Sequence, residues 1–142
     1  MRRGTALWGL GIYGALLAVL VFSPVGPSLR GVHLPAGVSA GAVEAAANVA
    51  VFMPLGFFVA SLLPLGRRWL AVGACSALSV GIETVQFAFL SSRSGNVRDA
   101  ITNTAGAVLG VLLCSIWLRV LEHRIAARAV ARPQLSNSST RS

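Results

Sequence analysis

Glu83 and Gln86 stand three residues apart in AVGACSALSVGIETVQFAFL (71–90), a run otherwise long and apolar enough to cross a membrane. Residues three apart share one face of a helix. Extending that face backwards adds Ser79 and Ser76, so the run carries a polar stripe on an apolar cylinder. An ionisable group in hydrocarbon is costly and faces protein or a water-filled cavity. Two readings follow for Glu83. It is a structural hydrogen bond or ion pair that locks a helix bundle, or it binds a cation or amine, or exchanges a proton, in a polar site. In the second reading Gln86 and Asn48 orient a partner, and Arg93 or Arg98 holds a phosphate or carboxylate.

Four apolar runs position these groups, at about 6–22, 45–63, 69–90 and 100–121. Each is close to the ~20 residues that span the hydrocarbon core as a helix. The runs are continuous rather than alternating over about ten residues, which favours helix over strand. An all-α membrane protein of four transmembrane helices is therefore expected, occupying 6–121 between a short N-terminus (1–5) and a basic tail (122–142). The first run follows Arg2 and Arg3 but precedes SPVGPSLR, with no small-x-small cleavage site. It reads as an uncleaved anchor.

Arginine placement sets the orientation. Arg2, Arg3, Arg67, Arg68, Arg119, Arg124, Arg128, Arg132 and Arg141 fall on one side, and Arg30, Arg93 and Arg98 on the other. Positive residues stay inside, so both termini are expected in the cytoplasm. With the third span running outward, Glu83 lies about 10 Å and Gln86 about 6 Å below Leu90. The second span enters from the same side with Asn48 near its start. The fourth begins there too, with Asp99 at its entry and Thr102 and Asn103 following. Asn48, Glu83, Gln86, Arg93, Arg98, Asp99 and Asn103 thus form one layer near the outer leaflet. Asp99 has a second explanation, since an acidic residue at a helix start suits its positive dipole end. Gly106 and Gly110 form GxxxG, which permits close backbone approach. Pro54 and Gly56 bend the second span and free a carbonyl for a neighbour.

Composition agrees. The chain of 142 residues is 55% hydrophobic and 11% charged, against about 25% charged in soluble domains. The net charge is +8, carried wholly by arginine. The arginines lie at span ends and in the tail, a pattern of membrane topology and lipid contact rather than of a nucleic-acid face. In the tail, Arg119, Arg124, Arg128 and Arg132 recur at near-helical spacing and suit anionic headgroups. Pro133 is expected to end that helix, with QLSNSSTRS disordered. Cys75 and Cys114 sit inside apolar runs and read as packing residues; no metal or cofactor is expected. His33, in a Gly- and Pro-rich loop, reads as a solvated side chain. Internal repeats, phosphate loops, dinucleotide glycine motifs, HExxH and GxSxG are absent from the sequence.

Together, NVAVFMPLGFF (48–58), ALSVGIETVQ (77–86), Arg93, Asp99 and NTAGAVLG (103–110) resemble the VanZ-like family of small membrane proteins. The pattern is an N-x5-PLGF segment, an E-x-x-Q pair, an arginine, and a D-x3-N-T-x-G-x3-G helix. It covers about 45–112. Asn96 departs from it, since many members carry an acidic residue there, which weakens any reading that needs two carboxylates in that loop. The resemblance implies a polytopic protein of the bacterial plasma membrane and cell envelope, and a link to glycopeptide resistance of the teicoplanin type. It singles out Asn48, Pro54, Gly56, Glu83, Gln86, Arg93, Asp99, Asn103 and Gly106.

Three functions are open on these residues. One is a binding protein that takes a lipid headgroup, cell-wall intermediate or amphiphile at the outer-leaflet layer. Another is an intramembrane enzyme acting on a headgroup with Glu83 as acid or base, which also needs a nucleophile or activated water. The third is a structural or oligomeric transport module. Membrane lipids are the expected partners, with a cell-wall precursor or amphiphile as ligand; oligomeric state is left open. A reporter fused at Gly66 is expected to be active as a cytoplasmic reporter. Activity only as an exported reporter would overturn the topology.

Overall fold

The computed structural model describes residues 3–22, 35, 37–89 and 97–138, with the side chains of 20–22, 86, 89 and 130–138 outside the description. Among the described residues the chain is all-helical: α1 (Arg3–Phe22), α2 (Ala40–Leu62), α3 (Trp69–Phe89) and α4 (Val97–Ser138), with a 3-10 turn at Leu65–Arg67. Two stretches, Ala40–Leu62 and Val97–Ala129, are long and apolar enough to cross a membrane. Trp8, Val19, Trp69, Phe87, Ile101 and Ile116 point outward and are exposed. Such a surface is a liability in water and the natural one in hydrocarbon.

Local signals set the helix ends. Ser39 caps α2, its Oγ accepting from the Ala42 amide at 3.2 Å. This starts α2 five residues before the apolar run does. Pro64 closes it and turns the chain, its carbonyl accepting from the Arg67 amide at 2.9 Å. Asp99 lies in the first turn of α4, where a carboxylate meets the positive end of the helix dipole. At the far end the expected stop fails: α4 continues through Pro133 to Ser138. A proline removes one backbone donor, and here the helix resumes beyond it. Residues 134–138 are therefore helical, not disordered, and α4 is about 63 Å long, twice the ~30 Å of a bilayer core.

α2 and α4 share the largest interface, α3 packs on α4, and α1 packs mainly on α2. Glycine makes the central contact. A methyl built on Gly56 would lie 2.5 Å from the Ala107 carbonyl oxygen, and one on Gly106 would lie 2.5 Å from the Val49 carbonyl oxygen. One on Gly110 would strike the Met53 carbonyl. Backbone therefore meets backbone at three levels, as expected of GxxxG, with Pro54-Leu55-Gly56 supplying the facing surface. Phe52, Leu55, Leu17, Cys75 and Ala107 form one buried cluster, and Ala60, Ala71 and Cys114 a second. Both cysteines are thus core residues.

Pro54 sits inside α2 without ending it. Having no amide hydrogen, it leaves the Ala50 carbonyl without its helical donor. The neighbour's hydrogen bond falls one residue on, where the Tyr13 hydroxyl donates to the Val51 carbonyl and ties α1 to α2. Gly110→Ala is expected to destabilise the fold by about 1–3 kcal/mol through overpacking. Gly73→Ala has open space and should be neutral or stabilising by up to about 1 kcal/mol. Thermal unfolding of the purified protein in detergent measures both; equal effects would refute the close-approach interface.

Candidate polar site between α2, α3 and α4

The polar stripe of α3 faces α4. Ser76 and Thr104 hydroxyls lie 3.0 Å apart. Thr104 gives its proton to the Ala100 carbonyl at 2.8 Å, so Ser76 is the donor between them. One turn further, Asn103 Nδ2 donates to Ser79 Oγ at 2.8 Å. Ser79 is fully buried and Asn103 is 6% exposed. On the α2 side, Asn48 Nδ2 donates to Thr102 Oγ1 at 3.3 Å. Thr102 spends its own proton on the Arg98 and Asp99 carbonyls, each at 3.1 Å.

These rungs fix the register of the antiparallel pair α3–α4. Ser76 meets Thr104 and Ser79 meets Asn103, so the next turn brings Glu83 to the level of Asp99. Both are half-buried. Arg98 is exposed at the rim, and its Nη1 lies 2.6 Å from where a Cβ on Gly41 would be. Its guanidinium therefore lies over the first turn of α2, in space that only glycine leaves. Glu83 and Arg98 are both engaged by other groups. Asn103 Oδ1 is buried and has no hydrogen-bond partner. An unsatisfied buried carbonyl costs about 1–3 kcal/mol, so it is the acceptor in this cluster most in need of a donor.

Of the expected site residues, Asn48, Glu83, Asp99, Arg98 and Asn103 thus gather at the end of the bundle where α2 and α4 begin and α3 finishes. Arg93, Asn96, His33 and the side chain of Gln86 lie outside the described residues. Thr104 and Ser79 enter as direct partners across the α3–α4 seam. The signal for them was present: Ser76 and Ser79 recur at helical spacing, and Thr102, Asn103 and Thr104 are consecutive. A second contact unforeseen from sequence lies at the opposite end. There Arg68 Nη1 donates to Ser115 Oγ at 3.2 Å, while Ser115 donates to the Val111 carbonyl at 2.8 Å. Among the described residues no cluster of His, Cys, Asp and Glu suits a metal ion.

A separate hollow of about 570 Å³ runs between α1 and α3 over Leu55. Gly14, Ala18, Ala77 and Gly81 line it with Leu17 and Ile82. On a helix of 100° per residue, the α3 residues lining it face away from Ser79 and Glu83. The hollow and the polar cluster are therefore distinct.

Comparison with known families then decides kinship. The model of the VanZ/LLP1 family matches residues 10–118. The chain belongs to the VanZ/LLP1 family. The match runs from α1 into the middle of α4 and includes every residue of the polar cluster. Its apolar helices and its VanZ/LLP1 membership together make this a membrane protein. No curated protein and no solved structure matches the chain.

Proposed function

We propose that this VanZ/LLP1 protein crosses the bacterial plasma membrane four times with both termini in the cytoplasm. At its outer-leaflet end it binds the polar head of an amphiphile. The bound molecule is a lipid headgroup, a cell-wall intermediate or an amphiphilic compound, held in the layer of Asn48, Glu83, Gln86, Arg93, Arg98, Asp99 and Asn103. Through its family, the reading extends to glycopeptide resistance of the teicoplanin type, with the protein acting on envelope components.

One observation carries the proposal. Polar side chains from α2, α3 and α4 converge on one level, and the buried Asn103 Oδ1 among them is left without a donor. Most buried polar atoms have a partner, so this open acceptor supports a ligand's donor at that level. Binding is favoured over catalysis because the nearby hydroxyls are committed. Ser76 donates to Thr104, and Ser79 accepts from Asn103 with both residues buried.

Lipid mass spectrometry of the purified protein tests this. The wild type is expected to carry a headgroup class that Glu83→Gln, expressed at the same level, loses by about tenfold, the scale of one charge-assisted hydrogen bond. The same lipids in the same amounts from both proteins would sink the proposal.

A further inference from the structure

We infer that the hollow between α1 and α3 holds one acyl chain of a membrane lipid from the leaflet that contains the polar layer; that this leaflet is the outer one rests on the orientation proposed above. α1 and α3 each pack on α2, and Leu55 of α2 floors the gap between them. The gap is deep. Leu17 is 7% and Leu55 5% exposed, while Ala18, Ala77 and Gly81 on its walls are exposed. Its volume of about 570 Å³ falls within the ~300–1,000 Å³ of ligand pockets. Among the described residues no polar or charged side chain lines it, so it takes hydrocarbon and is indifferent to a headgroup. Its glycines are unspent within the chain. Gly56, Gly106 and Gly110 meet backbone across the α2–α4 interface, but a Cβ at Gly14 or Gly81 would have no atom within 4 Å.

Depth and length name the occupant. The hollow starts at Gly14 and Ala77, about 16 Å along α1 from Arg3 and about 12 Å along α3 from Trp69, near the middle of a ~30 Å core. It ends at Val85, about 6 Å before Phe89. From Ala77 to Val85 it runs about 12 Å, against about 15 Å for one leaflet's share of the core. A chain entering from that leaflet fits this reach. The helix of a second copy does not. It crosses the whole core, and at ~10–12 Å across it cannot seat on floor residues that are almost fully covered. Water gains nothing there, because an apolar hollow offers it no hydrogen-bond partners. Left empty, the lining forfeits dispersion contacts, and close packing is a main source of cohesion in hydrocarbon. The chain therefore backs α3 on the side away from α4, opposite Ser79 and Glu83.

Native mass spectrometry of the full-length protein in detergent, with dipalmitoyl phosphatidylcholine or dipalmitoyl phosphatidylglycerol added, tests the inference. The Glu83→Gln background keeps the polar layer from contributing, and one lipid is expected to stay bound with either headgroup. Gly14→Leu and Gly81→Leu fill the hollow and should each weaken that binding about tenfold, the scale of some ten lost dispersion contacts. Gly11→Leu and Gly73→Leu add the same side chain in open space outside the hollow and should leave it unchanged. Gly81→Ala, the mildest filling, keeps the test open if a leucine variant does not fold, and should weaken binding in the same direction by less. Equal retention by all these variants would overturn the acyl-chain site. So would a lipid-free dimer that Gly81→Leu dissociates, since a second copy would then cover the hollow. Lipid lost in Glu83→Gln alone and untouched by Gly81→Leu would leave the headgroup reading standing without the acyl-chain site. The reverse result would leave the acyl-chain site standing without the headgroup reading.

Discussion

Direct contact between the backbones of α2 and α4 is the constraint on which the rest of this structure depends. In hydrocarbon there is no hydrophobic force between helices, so association relies on close packing and on polar contacts. Gly56, Gly106 and Gly110 each bring a main chain to within contact of the other helix's carbonyls. That approach holds Asn48 against Thr102 and gives α3 a firm surface to lean on. A side chain at any of the three glycines would lift the two helices apart and open the polar layer with them.

Three of the cross-helix hydrogen bonds share a device. Thr102, Thr104 and Ser115 each give their hydroxyl proton to a carbonyl of their own helix three or four residues back. Each oxygen is then free to accept from another helix: Asn48, Ser76 and Arg68 respectively. Such bonds contribute about 0.6 kcal/mol each on average in membranes. Their sum is small against the packing, but their positions select one register. Register is what places Glu83 opposite Asp99 rather than a turn away, and with it the charge pattern that a headgroup would meet.

Much of this was legible in the residues. Continuous apolar runs of about twenty residues predicted four helices, and GxxxG predicted the close contact. Asn48, Glu83, Asp99 and Asn103 stood out because each is costly in hydrocarbon. What the residues could not show was pairing: periodicity identifies a face, not the rung it meets, so Thr104 and Ser79 were not matched with their partners. The failure at Pro133 is of another kind. A proline in the extension of α4 loses one hydrogen bond, which the long helix absorbs. The carbonyl freed by Pro54 was anticipated, yet Tyr13 bonds its neighbour Val51, a placement that depends on where α1 lies and not on α2.

The claim that α3 and α4 meet rung by rung up to Glu83 and Asp99 is tested most directly by crosslinking in membranes. With Cys75 and Cys114 replaced by alanine, the pair Glu83→Cys and Asp99→Cys is treated with a short bifunctional thiol reagent. Efficient intramolecular crosslinking is predicted, with none for Val85→Cys and Asp99→Cys, since Val85 is exposed and lies about 160° round α3 from Glu83. Crosslinking of the Val85 pair in preference to the Glu83 pair would contradict the register, and with it the polar site.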